Sequence, residues 1–452
     1  MKTDVLILGG GLAGLSTARH LGGLGVRSRL VVEAKDRVGG TAGSRTAGGF
    51  TFDYTGHLLH LHDPYGRALI LDLLKDNVAA HERRAWIFSR GAWTRYPFQA
   101  NTRGLPFAVA VECAAGFLET VHRPRRLPRR PDFLSWSRAT FGDGITRHFM
   151  RPYNEKLWGT DLSRLTTDWQ GRFVPKPTAS EVVYGALTDS NALFGYNATF
   201  RYPVRGGIQA LPDALAAGLE PGVVRTGARV EAVDLREKAA RIAGLGEVRY
   251  ERLVNTLPLN VFLDLAAPLP AAVRAARRSL RWNAVWNLNL GVVREKVLGD
   301  RHWAYFPEKR FPFYRVGSAS NFSPSSAPAG HSSLYVEASR PGGARVDVRR
   351  LEAAILKGLR AAGILRRGDE LSVKEWMPID VGYVVYDFAR EAAVRTIFRH
   401  LGKAGVESIG RYGAWKYSFM EETILDGRRC AERLTGTPSA PEPAPGELRA
   451  LK

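Results

Sequence analysis

The chain has 452 residues, 45% of them apolar and 24% charged, which excludes a disordered polymer or a coiled coil and suffices for a large core in roughly two or three domains. Lys and Arg total 65 against 44 Asp and Glu, a formal charge of +21, and only 13 of the 65 are Lys. Such a balance suits anionic partners, but the arginines are scattered apart from one run, His122-Arg123-Pro124-Arg125-Arg126-Leu127-Pro128-Arg129-Arg130, whose plain reading is a solvated loop, so no nucleic-acid partner is expected.

In chain order, Val5-Leu6-Ile7-Leu8 predicts a short buried strand, Gly9-Gly10-Gly11-Leu12-Ala13-Gly14 a tight turn, and the residues through Leu21 a helix. In this strand, GxGxxG, helix order Gly9 serves the turn, Gly11 the approach of a pyrophosphate and Gly14 the packing of helix on strand, while Leu12 and Ala13 open the helix at its anion-favouring end. A second strand, Ser28 to Val32, ends in Glu33, 19 residues after Gly14, where a carboxylate takes ribose hydroxyls. The segment that follows, Ala34-Lys35-Asp36-Arg37-Val38-Gly39-Gly40-Thr41, resembles the second half of the FAD signature of glutathione-reductase-like flavoproteins. That resemblance implies FAD as cofactor and adds Ala34, Arg37, Gly39, Gly40 and Thr41 to its contacts.

Further along, Tyr54-Thr55-Gly56-His57-Leu58-Leu59-His60-Leu61-His62 places three histidines within six residues, and Phe149-Met150-Arg151-Pro152-Tyr153-Asn154-Glu155-Lys156-Leu157-Trp158 spaces aromatic residues along one helix face. Metal binding is a weak reading of the first, for want of a carboxylate to orient the rings, and core packing is an open reading of the second. Arg229 to Val233 alternates as a strand and Arg252 to Pro258 reads as a strand-to-loop return; Val346 to Ala362 has helical periodicity. Near the end, Ser408 to Gly413 precedes a helix opening at Met420-Glu421. In FAD domains of this kind the last helix points its N-terminus at the flavin, which implies that Val230, Arg411, Met420 and Glu421 also serve the cofactor.

From residue 4 to about residue 434 the chain resembles the UDP-galactopyranose mutase family. Tyr54 to His60 is similar to the loop that carries a flavin-facing histidine, here His57, and Tyr96-Pro97-Phe98-Gln99 to a short Pro-Phe motif. The resemblance implies that Tyr153 and Phe149 contact the uracil, that Trp158 belongs to a mobile lid, and that Arg172 and Arg315 close on the diphosphate with Tyr383 and Tyr417. Within Pro177 to Phe200 the sequence is longer than the family pattern, with Phe194 or Tyr196 as the tyrosine equivalent, and Phe419 stands where the family often has an acidic residue.

What the resemblance implies is a ring contraction of a UDP-linked sugar, with N5 of reduced FAD as nucleophile on the anomeric carbon, His57, Arg172 and Arg315 as catalytic residues, and no metal. Two other readings stay open: an FAD oxidase of the amine-oxidase or protoporphyrinogen-oxidase type, and a carrier related to the Rab GDP-dissociation inhibitors. The fold class expected is α/β, with a discontinuous Rossmann-like FAD domain (1–75, 203–260, 395–434), a helical lid domain (76–202), a mixed-sheet substrate domain (261–394) and a disordered tail (435–452). Cys113 and Cys430 lie far apart without a CxxC, and neither a signal peptide nor a run of about 18 apolar residues is visible. A cytoplasmic protein is therefore expected, with peripheral membrane contact and a homodimer left open.

Overall fold

The structure, a computed structural model, describes residues 1–189 and 198–438; residues 190–197, which include Phe194 and Tyr196, residues 439–452, and the side chain of Arg172 lie outside the description. Its first sheet is built on the N-terminal strand Lys2–Leu8, which pairs in parallel with Arg29–Val32 on one side and Gly246–Asn255 on the other. Leu6, Ile7, Leu8 and Val31 are wholly buried, as expected for central parallel strands covered on both faces. Val224–Arg225 and Val406–Ser408 extend the parallel part, and the antiparallel strands Val230–Asp234 and Ala239–Ile242 finish it. The expected α/β class with a discontinuous dinucleotide fold is therefore present.

Helix Leu12–Gly23 packs against the C-terminal helix Met420–Thr435, where Ser16 Oγ donates to the Ile424 carbonyl at 2.6 Å. A methyl on Gly427 would lie 2.6 Å from Ser16 Cβ, so glycine sets the close approach of these two helices.

The second sheet is mixed. Its long strands Trp282–Val292 and Ser332–Pro341 run antiparallel, followed by Arg315–Ser318 and Trp303–Tyr305. Helix Val348–Ala361, opened by Asp347 accepting from the Arg350 N–H at 3.0 Å, covers it with Leu351, Ile355 and Leu359. Residues 76–202 are not helical throughout. Ala85–Ser89 and Ala92–Arg95 form a hairpin about Arg90 and Gly91, both at positive φ, and join the mixed sheet alongside Trp303–Tyr305, while Ala79–Glu82 pairs with Thr199–Tyr202. Two left-handed residues between short alternating runs is the hairpin signal, and here it overrides the helical expectation.

Among the helices of this region, Phe107–His122 and Phe133–Ile145 touch backbone to backbone: a Cβ on Gly144 would sit 2.3 Å from the Glu112 carbonyl oxygen, and one on Gly142 2.2 Å from that of Gly116. A wide π-helical turn, Thr146–Met150, then leads into Arg151–Trp158. The C-terminal helix ends at Thr435 on Gly436 in the left-handed conformation, which takes helix into the first residue of the expected tail.

Candidate active site

One cavity of about 730 Å³ lies between the two sheets, walled by the N-terminal turn, the loop 54–60, helix Arg151–Trp158 and the segments around Arg315, Tyr383 and Tyr417. At its nucleotide end Gly9 has φ +103°, and a Cβ on Gly14 would fall 2.0 Å from the Gly9 carbonyl oxygen, so that position must be glycine. A Cβ on Gly11 would meet nothing within 4 Å: its missing side chain leaves open the space in front of the helix N-terminus. No side chain caps that terminus and no acidic residue occupies its first turn, which leaves backbone N–H groups for an anion.

Glu33 is buried, with Oε2 accepting from the Gly10 N–H and Oε1 from the Lys35 N–H, both at 2.9 Å. Its remaining lone pairs face the cavity, the chemistry a ribose diol needs. Gly39 and Gly40, both at positive φ, run against this turn, with the Gly39 N–H donating to the Gly10 carbonyl at 2.9 Å. Gln209 braces the pair from behind through the Val38 carbonyl and the Ser44 N–H.

At the other end sit two half-buried guanidinium groups of different kinds. Arg315 is neutralised: Nε and Nη2 donate to Glu337 Oε1 at 2.9 and 2.6 Å, while the Tyr314 hydroxyl donates to Oε2 and the Gly56 N–H to Oε1 at 3.4 Å. Glu337 is wholly buried and directly opposite Arg315 in the sheet register. Arg411 donates to the carbonyls of Ser418 (2.7 Å) and Gly382 (3.3 Å) and lies over the rings of Tyr417 and Tyr383 at 4.8 and 5.1 Å, with Tyr412 beside it and no carboxylate among the described residues. A partly desolvated cation without a counter-charge is costly, and a bound anion relieves it. His57 shares this field: burial, then Arg411 and Arg315, push its imidazole down to about 4, so it is neutral near pH 7, with Thr55 Oγ1 3.2 Å from Nδ1.

The third wall is aromatic. Phe98, Phe149 and Tyr153 form a parallel stack with centroid spacings of 5.0 and 5.1 Å and interplanar angles of 7° and 5°. The wide turn before Arg151 puts the last two on one face, a place where π-turns recur in functional sites. Tyr383 and Tyr417 stack at 5.8 Å, and Phe173 meets Tyr417 edge-on at 4.5 Å. Burial raises the phenols of Tyr153, Tyr383 and Tyr417, which keeps them hydrogen-bond donors.

Of the residues singled out in the sequence, Gly9, Gly11, Leu12, Ala13, Glu33, Gly39, Gly40, Thr41, His57, Phe149, Tyr153, Arg315, Tyr383, Arg411, Tyr417 and Met420 line this one cavity. Others lie elsewhere. Trp158 is in the core, 1% exposed and packed on Trp169 at 4.8 Å, because its helix turns that face inward; its neighbour Trp169 is on the wall instead, with Trp303 and Trp376. Glu421 turns away from the cavity to accept from the N–H groups of His62 (2.9 Å) and Asp63 (3.1 Å), Arg37 pairs outside with Asp213 at 2.6 Å, and Ala34 and Val230 sit off the wall. The backbone of Arg172 lies in a 3-10 turn, Gly171–Phe173, whose Phe173 reaches the cavity. Sequence reading missed Glu337, Tyr314, Tyr305 and Gln209; a carboxylate inside the apolar run Leu334-Tyr335-Val336-Glu337-Ala338 was the available signal for the first.

The glycine turn open to the cavity, the backbone-held Glu33 and the unneutralised Arg411 fit FAD, and the fold and site together define a flavoprotein. A model of the family described as flavin containing amine oxidoreductase matches residues 12–435; the chain belongs to that family, and its cofactor is FAD. Its fold is similar to that of UDP-galactopyranose mutase: the crystal structure of the reduced form superposes with a TM-score of 0.92 at 27% identity, covering 99% of this chain and 98% of that one. Putrescine oxidase bound to putrescine shares the fold at a TM-score of 0.65 and 18% identity, covering 96% and 99%. In sequence the chain is 23% identical over 323 residues, 66% of its length, to protoporphyrinogen oxidase 1, chloroplastic, of Arabidopsis thaliana, and spans 60% of that relative.

Proposed function

We propose that this protein is a flavin-dependent nucleotide-sugar mutase that interconverts the pyranose and furanose forms of a UDP-linked sugar. The observation that carries the reading is the pairing, in one cavity beside the dinucleotide turn, of an aromatic stack with two half-buried guanidinium groups and the phenols of Tyr383 and Tyr417. The likeness to UDP-galactopyranose mutase over almost the whole chain supports it. In this reading Phe149 and Tyr153 hold the base, and Arg315, its fork fixed by Glu337, takes the diphosphate with the two tyrosines and Arg172. Donors already oriented toward the departing phosphate stabilise developing charge at no reorganisation cost. Neutral His57 adds no third cation and is positioned by Thr55, while Phe173 and Tyr417, in edge-on contact, give that part of the wall an apolar surface. Reduced FAD, when bound, supplies the nucleophile for the anomeric carbon.

The test is turnover of UDP-galactopyranose by the reduced and the oxidised protein, with the furanose product resolved by chromatography. Furanose formed only by the reduced protein supports the reading; none from any UDP-sugar tried refutes it. The family match and the protoporphyrinogen oxidase relative favour a second reading, hydride transfer to oxidised flavin. Against an amine substrate stands Arg411, which has no carboxylate beside it among the described residues and would repel a cation. Bleaching of the oxidised flavin by an amine or a porphyrinogen, with oxygen consumed, would establish that alternative.

A further inference from the structure

The arginine run has no part in the cavity. Residues 121–130 are exposed throughout, and they follow helix Phe107–His122, whose inner side is marked by buried Cys113 and Phe117. On the opposite side the helix carries Phe107 (84% exposed), Val111 and Val121, with Ala115 exposed and Leu118 half-buried between them. These positions fall on one face at helical spacing, an outward apolar stripe about 20 Å long. Helix Ala179–Leu187 packs beside it and turns Val183, Tyr184 (57%) and Leu187 (71%) to solvent. Within the run, Arg125 pairs with Asp143 and Arg130 with Asp168 and Glu391, whereas Arg123, Arg126 and Arg129 have no carboxylate partner among the described residues. Glu119 is the acidic group at the edge of the stripe.

We propose that this face docks on an anionic lipid bilayer, the apolar stripe entering the acyl boundary and the arginines contacting headgroup phosphates. Charge decides the occupant. A second copy set antiparallel on this face would cover the apolar stripe but hold the two arginine runs at opposite ends with no anion to meet, and a nucleic acid would leave Phe107, Val111 and Leu187 in water; an anionic membrane surface satisfies both features. Contact is with the surface, since no described helix is long and apolar enough to cross a membrane.

Flotation of the FAD-loaded protein with vesicles tests this, using phosphatidylcholine with and without phosphatidylglycerol. The protein is expected to float with the anionic vesicles alone. Arg123→Glu, Arg126→Glu and Arg129→Glu together lower partition by at least roughly a hundredfold, from about 1 kcal/mol per basic residue near the surface. Phe107→Ser with Leu187→Ser lowers it by at least about tenfold. The same charge change at exposed Arg349, Arg350 and Arg367 is the comparison that separates a docking face from general positive charge. Hydrogen exchange on the unaltered protein should show protection of 107–130 when anionic vesicles are added. No flotation, an equal loss from the comparison variant, absent protection, or an apolar variant that changes a dimer into a monomer with partition unaltered would overturn the proposal.

Discussion

The two ends of the cavity recognise their ligands with different materials. The nucleotide end is made from main chain: Gly9, Gly11, Gly39 and Gly40 bring peptide groups to the surface, and even Glu33 is positioned by the N–H groups of Gly10 and Lys35. The opposite end is made from long side chains drawn from distant segments, with Arg315 held by Glu337 and Arg411 by the carbonyls of Gly382 and Ser418. A main-chain site fails when a methyl group is added; a side-chain site fails when a partner is removed. Substitutions of each kind therefore test whether the division holds.

The largest effect is expected at Arg315→Ala, which leaves wholly buried Glu337 without its cation; thermal or urea unfolding should register a loss of about 3 to 5 kcal/mol. UDP binding should weaken by about 1.5 to 3 kcal/mol, measured by titration. Adding Glu337→Leu should restore much of the stability and none of the UDP affinity, and recovery of both would remove Arg315 from the ligand site. Next come the glycines. Gly14→Ala forces a methyl into the Gly9 carbonyl and should cost about 3 kcal/mol or more, with little flavin in the purified protein. Gly11→Ala has room in the fold, so its apoprotein should unfold near wild type while its flavin content drops; normal flavin content there would break the main-chain account.

Glu421 gives a smaller, pH-dependent effect. Burial raises its carboxyl to about 7, so the native state holds a proton that the unfolded chain releases near 4.5. The stability this contributes is complete below about pH 4.5 and is lost as pH rises through 7, amounting to about 2 to 3 kcal/mol at most. Glu421→Gln should gain on wild type in melting temperature between those limits, and a constant difference across pH 4 to 8 would refute the assignment. Least affected should be Arg37→Ala: its pair with Asp213 is exposed on both sides and worth less than about 1 kcal/mol, with flavin content unchanged.

The same division explains what could be read from the amino-acid order. Strand, glycine turn, helix and Glu33 lie within some thirty residues, each requirement local, so that part of the cradle is legible, whereas Gln209, which braces it from a distant segment, is not. Arg315 and Tyr383 were visible through family resemblance, but the carboxylate that fixes Arg315 comes from a neighbouring strand and depends on sheet register. Trp158 and Glu421 were misplaced for a related reason: each adjoins a residue on the wall, Leu157 and Met420, and one step along a helix turns a side chain by about 100°. The hairpin at Arg90 and Gly91 was hidden because strands in sequence order with helices join a sheet formed two hundred residues later.

Lys156 ties these parts together. From the helix that carries Tyr153 and continues the turn bearing Phe149, its amino group donates to the carbonyls of Phe306 (2.6 Å), Glu308 (2.7 Å) and Phe313 (3.0 Å), and Phe313 lies two positions before Arg315. Aromatic stack and guanidinium fork are thereby fastened to one frame, and the gap between them is a fixed length. For a nucleotide held at both points, the frame acts as a gauge: it would grip a ligand whose base and phosphates span that gap and hold a shorter or longer one by a single end.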